Sequence, residues 1–344
     1  WLSPLRVQIV YQLAGAMSNE VNEVCVGPSS ESAGQAASCA GCPNQSACQS
    51  GAGRIADPAI ASINERMAGI KHKILVLSGK GGVGKSTFAA QLAWTLSEMS
   101  QVGVLDIDIC GPSVPLMFGV PDNEIHRSSS GWSPIFANDN LAVMSVGFML
   151  GSKTDAIVWR GPRKTALIKQ FLTEVDWAEL DFLIVDAPPG TSDEHLSITQ
   201  YLQESKPDGA IIVTTPQEMA LLDVRKEISF CRKAELPILG VVENMSSFVC
   251  ECCQHETKIF EGSTGGARQM CVEMKVPFLG SIPLDPRLMQ CCEKGVSFTQ
   301  AHSGTPAAQS IRNVISQLLT RLPGFVMPSA ANTVSERSDL SMRL

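Results

Sequence analysis

The sequence lacks any apolar run approaching the roughly 20 residues that a membrane-crossing helix requires, so no membrane-spanning segment is expected. It also lacks a dense Lys or Arg run, and 27 basic residues against 34 acidic ones leave a net charge of −7. Without a basic patch, the electrostatic footprint for sequence-general DNA or RNA binding is missing. No internal repeat is present, which argues against a solenoid. Residues 1–16, WLSPLRVQIVYQLAGA, make a poor secretory signal because Arg6, Gln8 and Gln12 interrupt the apolar block. The chain begins with Trp1, and Met17 is the expected start, with residues 1–16 an extension of non-native or disordered character outside the fold.

What is present suits a soluble globular protein. A length of 344 residues with 44% hydrophobic content supplies a packed core for one large α/β domain with appendages, or for two small domains. Residues 17–53 are rich in Gly, Ala and Ser and cannot build a core of their own. Asp57-Pro58 then suits the start of a linking helix over 54–71, with the aspartate as cap and proline in the first turn. From Lys73 onward, ILVLS, VGVLDIDI, LAVMSV, DFLIVDAPP, GAIIVTTP, ILGVVENM and PFLGSIP read as strands. Amphipathic stretches at 86–99, 163–175, 218–234 and 305–321 lie among them. Strands apolar along their whole length mark a mostly parallel sheet with helices on both faces. This domain is expected over 72–323, with a polar, disordered tail over 324–344.

The stretch Gly79-Lys80-Gly81-Gly82-Val83-Gly84-Lys85-Ser86-Thr87 follows the first strand and precedes a helical pattern, which is the context of a P-loop. The glycines let backbone N–H groups turn toward phosphates. Lys85 supplies charge to the β- and γ-phosphates of ATP, and the Ser86 hydroxyl can ligate Mg2+. Lys80 departs from a plain P-loop. Near the start of the loop it could reach a phosphate in a facing subunit, as an arginine finger does, which implies a dimer; a solvated surface lysine is the alternative.

Acidic residues end two later strands, where ligands of open α/β sheets gather. Asp106-Ile107-Asp108 ends the second strand and Asp186 ends DFLIVD. Asp186 reads as the Walker B acid of the magnesium shell, and Asp108 as a residue that orients the attacking water. Gly190, Thr191 and Ser192 form a loop able to respond when the γ-phosphate leaves. Asn244, ending VVEN, can offer its amide to a base edge or simply make a turn.

Twelve cysteines in a chain of this kind point to metal or cluster ligation rather than disulfides. Cys25, Cys39, Cys42 and Cys48 can complete one tetrahedral zinc site or one four-iron cluster, and their spacing leaves the metal open. Cys250, Cys252 and Cys253 lie in FVCECCQHE, where Cys250 and Cys253 form a CxxC. Two thiolates are half of what a cubane cluster needs, and a two-fold axis would supply the other half. A zinc site completed by His255, or idle thiols, are the alternatives. Cys110, Cys231, Cys271, Cys291 and Cys292 show no ligand-like spacing and are expected to be mostly structural.

With these motifs in hand, the chain resembles the cytosolic iron-sulfur cluster assembly factors of the Mrp/nucleotide-binding-protein family. That family is a branch of the deviant P-loop ATPases that includes MinD, ParA and the nitrogenase iron protein. The likeness covers about residues 20–323 and rests on GKGGVGKST, DIDICGPS, GWSP, VWRGPRK, DFLIVDAPPGTSDEHLS, TTPQE and VVENMS. It implies that Lys80 is the signature lysine, Asp108 a switch residue, Asp186 the Walker B acid and Asn244 an adenine contact. It further implies that Cys25, Cys39, Cys42 and Cys48 hold a 4Fe-4S cluster, as in the longer eukaryotic subunit, which works as a homodimer or as a heterotetramer with a shorter subunit lacking this segment. Cys250 and Cys253 match the family's CPxC, which binds a labile 4Fe-4S cluster bridged between subunits and passed to cytosolic and nuclear apoprotein recipients. Here Glu251 replaces the proline and Cys252 is added, so the turn loses a restraint and gains a competing thiol.

The resemblance favours a scaffold ATPase in which slow hydrolysis works as a switch. An electron-transfer protein like the nitrogenase iron protein would keep its bridging cluster permanently. A positioning ATPase of the MinD or ParA type would need a membrane-binding tail or a basic DNA surface, and SERSDLSMRL is neither.

Overall fold

The computed structural model describes residues 32–49, 59–108, 113–121, 123–149, 161–191, 193–260 and 265–325. Cys25, Cys110, Ser192, Met17, the residues 1–16, and 326–344 of the tail lie outside them. The strands are β1 (Ile70–Leu77), β2 (Val102–Asp106), β3 (His126–Arg127), β4 (Trp132–Ser133), β5 (Ile135–Asn138), β6 (Leu141–Ser145), β7 (Leu180–Asp186), β8 (Gly209–Thr214), β9 (Ile238–Val249), β10 (Glu256–Thr257) and β11 (Phe278–Leu284). Helices among the described residues are α1 (Gln45–Gln49), α2 (Ala59–Met67), α3 (Lys85–Leu96), α4 (Val114–Met117), α5 (Gly161–Glu174), α6 (Asp193–Leu202), α7 (Glu218–Lys233), α8 (Gly266–Met274), α9 (Pro286–Lys294), α10 (Phe298–Ala301) and α11 (Pro306–Leu319).

Nine strands form one sheet in the order β9-β8-β1-β7-β2-β6-β5, with β10 and β11 both pairing with β9. The ladders from β9 through β8, β1, β7 and β2 to β6 are parallel, as is that of β11. Within this sheet β5 and β10 pair antiparallel, each with its neighbour at one side, and β3 and β4 form a separate antiparallel pair. The seven apolar runs and four amphipathic stretches read from the sequence all appear as strands and helices of this sheet.

Both faces are covered, and β1 shows how. Ile74 and Val76 point into a core with Phe88 and Leu92 of α3 and Ile311 and Leu318 of α11. Leu75 and Leu77 point the other way, toward Phe171 of α5, Ile198 of α6 and Ile228 of α7. The period-two alternation of a strand thus serves two cores at once, each large buried side chain contributing roughly 1.5–3 kcal/mol.

The linker reading needs one correction. A helix expected to reach residue 71 ends at Met67, and β1 already begins at Ile70. Lys71, His72 and Lys73 break the apolar pattern, yet their strand pairs with β7 from Ile70↔Leu180 to Val76↔Asp186. Lys73 is buried because its Nζ donates to the Ile70 carbonyl (2.8 Å) and its amide donates to Asp208 Oδ2 (2.7 Å). Burial lowers the Lys73 pKa and Asp208 opposes that shift.

Candidate nucleotide site and thiol hairpin

The carboxyl ends of the central strands carry the site. Cα partners in register place Ser145 of β6 beside Asp106 of β2, and Asp106 beside Asp186 of β7. A polar row therefore ends the apolar runs of three strands. The phosphate loop crosses this end of the sheet between β1 and α3. Gly82 and Gly84 adopt φ of +80° and +84°, the left-handed region that glycine enters without strain. Gly79 is needed for a different reason: a Cβ there would lie 2.6 Å from the backbone carbon of Asp223 in α7.

Lys85 opens α3 and is buried, with its Nζ 2.6 Å from Asp186 Oδ1 and 3.1 Å from Ser86 Oγ. The other Asp186 oxygen is buried with no hydrogen-bond partner. Burial pushes the Asp186 carboxyl up, while Lys85 opposes the shift. Asp106 is equally buried. Its carboxyl is pushed up to about 8 by desolvation and then by Asp186, against the Ser145 hydroxyl (2.7 Å) and the Asp108 amide (2.9 Å), which both donate to it. Two buried carboxyls side by side, one of them paired with the Lys85 ammonium and carrying an orphaned oxygen, are a donor set suited to a divalent cation. With Ser86 beside them, Asp186 and Asp106 would hold Mg2+ next to the phosphates, where the cation would neutralise charge on a nucleotide.

Sequence reasoning assigns a role to Asp108 and none to Asp106. The structure brings both into the site: Asp108 is half-buried and close enough to Asp186 to raise its pKa. The available signal for Asp106 is its position as the last residue of an apolar strand, the same signal that singles out Asp186. The loop after Asp186 is docked on the phosphate loop, since the Gly190 amide donates to the Ser78 carbonyl at 2.7 Å. His195 of α6 is buried and stacks edge-on against Phe230, its pKa lowered to about 4 chiefly by desolvation.

Asn244 lies against the other side of the loop, its Nδ2 donating to the Val83 carbonyl at 2.9 Å. A Cβ on Gly84 would fall 2.2 Å from that nitrogen, so Gly84 and Asn244 fit as a pair. Lys80 is exposed and lines an open cavity of about 430 Å³ together with Gly81, Gly82, Thr215, Met219 and Met245.

Cys250 and Cys253 sit away from this row, in the turn joining β9 to β10. The turn is closed by the Cys250 amide donating to the His255 carbonyl (3.0 Å) and the Gln254 amide donating to the Cys250 carbonyl (2.9 Å). The backbone N–H groups of Cys253 and Cys252 donate to the Cys250 sulfur and hold its pKa below the usual thiol value. Cys252 and Cys253 are exposed. A CxxC turn whose amides already donate to the first sulfur is a thiolate-binding shape, because such hydrogen bonds stabilise a ligating sulfur. Arg287 reaches the turn from α9, its Nη1 3.1 Å from Glu251 Oε1, and is itself held by both oxygens of Asp285 (2.8 and 2.6 Å).

Cys39, Cys42 and Cys48 lie in a small segment that packs on itself, with Gln45 and Gln49 of α1 both donating to the Gly34 carbonyl (3.3 and 2.9 Å). Cys39 and Cys48 are buried and Cys42 is half-buried, while Cys25 lies outside the described residues. Among the described residues, no three His, Cys, Asp or Glu side chains are gathered closely enough to hold a metal ion. The four-cysteine set read from the sequence thus falls only partly within the described residues. Cys231, Cys271, Cys291 and Cys292 are buried, and burial pushes their thiols up, Cys271 to about 12 and Cys292 to about 11. Inert structural thiols behave this way. Among the described residues, no helix is long and apolar enough to cross a membrane.

Comparison with known proteins agrees with this geometry. A family model described as the NUBPL iron-transfer P-loop NTPase, within ParA, matches residues 69–319. Among solved structures, the chain is similar to a nucleotide-binding protein from Archaeoglobus fulgidus in complex with ADP and with cobalt, at 34% identity over 73% of this chain and 95% of that one, TM-score 0.61. It shares its fold with the cell division ATPase MinD of Pyrococcus furiosus (22% identity, 72% and 98% covered, TM-score 0.51). The same holds for the septum site-determining protein MinD of Pyrococcus horikoshii complexed with Mg-ADP (22%, 72% and 96%, TM-score 0.52). A match over most of the chain, joined to a phosphate loop, two strand-end carboxylates and a thiol hairpin in place, leads to one conclusion: the chain belongs to the NUBPL-type iron-transfer family of P-loop NTPases.

Proposed function

We propose that the chain is an ATP-dependent scaffold that builds a labile 4Fe-4S cluster between two chains and hands it to apoprotein recipients. The observation that carries this reading is the Cys250–Cys253 turn: exposed, with amides already donating to its first sulfur, and offering half a cluster's ligands. A second copy related by a two-fold axis supplies the other half, whether in a homodimer or in a heterotetramer with a shorter subunit. The exposed Lys80 beside an open cavity suits the same arrangement, as a residue that reaches a facing nucleotide. ATP and Mg2+ bind at Lys85, Ser86, Asp106 and Asp186, and slow hydrolysis resets the dimer rather than driving chemistry on a substrate. The archaeal relative that holds ADP and cobalt supports a chain that binds both nucleotide and a transition metal. The cytosol and nucleus are the compartments this reading assigns.

Anaerobic reconstitution followed by incubation with an apo-ferredoxin acceptor tests it. Cluster absorption should appear on the chain and move to the acceptor. Stoichiometric zinc in place of the cluster would overturn the scaffold reading. A cluster that cycles redox state but never transfers would favour the electron-transfer reading instead.

A further inference from the structure

One strand joins the nucleotide loop to the thiol turn. Asn244 of β9 donates to the Val83 carbonyl, and Cys250 follows the end of the same strand six residues later. That is roughly 20 Å of chain at most. The connection is not straight. Ile282 of β11 pairs with Asn244 and Leu284 with Phe248, so two steps along β11 match four along β9. The extra residues form a bulge, and Met245 within it has φ +55°. A residue with a Cβ holds the left-handed conformation at a cost, and does so only where its surroundings enforce it.

Those surroundings are the site. Met245 lines the cavity that opens on Lys80, Gly81 and Val83, and its Cε lies 3.8 Å from where a Cβ on Gly84 would be. Beyond the bulge the strand is anchored again. Ser247 Oγ donates to Glu256 Oε1 across the hairpin (2.6 Å), and Glu251 meets Arg287 at its tip (3.1 Å). A strained segment is thus strung between a clamp on the phosphate loop and a clamp on the thiol turn.

We propose that the Met245 bulge transmits nucleotide occupancy to the Cys250–Cys253 turn, with Asn244 and Met245 acting as positioning residues. This rests on the proposed reading of the turn as a metal-binding half-site. A nucleotide that changes the contacts of the phosphate loop acts first on Asn244 and on the strained residue beside it. Absorbing or releasing even one bulge residue displaces the strand by about 3.3 Å and turns successive side chains to the opposite face, which re-aims the two sulfurs. A ligand shifts such an equilibrium only by its differential affinity for the two arrangements. The coupling is reciprocal: metal at the turn changes nucleotide affinity by the factor with which nucleotide changes metal affinity.

The test uses the full chain under anaerobic conditions with Co(II) as the metal, titrated with and without saturating ADP. The hairpin component is the absorption lost in C250A/C253A. ADP should shift that component's affinity by about fivefold or more, and Co(II) should shift ADP affinity equally. Met245→Gly, which relieves the left-handed strain, should cut the factor to below about twofold. Asn244→Ala, at ADP concentrations shown to saturate it, should do the same. A wild-type factor of one, or a full factor in both variants, overturns the proposal. If C250A/C253A binds as much Co(II) as wild type, the metal reading fails instead, and alkylation rates of Cys252 and Cys253 decide the coupling. Rates that depend on ADP in wild type and not in Met245→Gly support it, and rates indifferent to ADP overturn it.

Discussion

Glu227 should make this protein less stable at neutral pH than the same fold with an apolar side chain there. It lies on the face of α7 that also buries Leu221, Val224, Ile228 and Cys231, is itself fully buried, and neither of its oxygens has a hydrogen-bond partner. Burial alone pushes its carboxyl from 4.5 up to about 8. The native state therefore keeps the proton over a range where the unfolded chain has lost it. Stability from this group is fully present below pH 4.5, falls as pH rises toward 8, and is flat beyond. At pH 7 the loss amounts to roughly 3 kcal/mol. Glu227→Met keeps the length and removes the charge. After allowing for imperfect packing, a gain of about 2–4 kcal/mol at pH 7 is expected, or about 5–10 °C in Tm. Urea unfolding of both proteins at pH 5.5, 7 and 8.5 measures it, since the difference between them isolates this group from every other titration. A gap that widens with pH supports the reasoning. A variant less stable than wild type at pH 8.5, or a gap that stays constant across the three pH values, would refute it.

Other perturbations follow from the same contacts. Gly84→Ala forces a left-handed φ on a residue with a Cβ and drives that Cβ into Asn244, so ADP affinity by calorimetry should fall at least about tenfold. Lys85→Met removes the phosphate's cation and leaves Asp186 buried without its partner, which should abolish ADP binding and cost roughly 3–5 kcal/mol in urea unfolding. That cost should shrink as pH falls, because a buried carboxyl without its ammonium takes up a proton. Arg287→Ala frees the hairpin tip, but Glu251 is largely exposed, so the pair is worth at most about 1 kcal/mol. Co(II) affinity of the hairpin should drop by no more than about fivefold and the difference should fade in high salt, while adding Glu251→Pro should restore it.

The sheet was legible because its strands carry long apolar runs and its main helices keep a clean period. Elements that escaped are those whose pattern is set by tertiary contacts. The polar start of β1 is a strand because β7 pairs with it, and α6, DEHLSITQYL, lacks a clean apolar stripe because it buries Glu194, His195, Ser197 and Thr199 along with its apolar residues. Of the site, the phosphate loop and Asp186 were readable from motif and position. Asp106 was not, since register across β6, β2 and β7, not sequence spacing, aligns it with Ser145 and Asp186. Asn244 reads as a turn or a base contact in sequence, whereas the fold sets it on the Val83 carbonyl. Glu227 had a usable signal: it falls on the apolar stripe of its helix, where a charged residue is out of place.

The central claim is that two chains share one cluster through Cys250 and Cys253, and native mass spectrometry of the anaerobically reconstituted protein tests it most directly. The account predicts a two-chain particle carrying four irons and four sulfides that are absent from C250A/C253A, and a shift to single chains as the cluster is passed on. Iron that depends on these cysteines but rides on a single chain, or one zinc per chain at the hairpin, would contradict it.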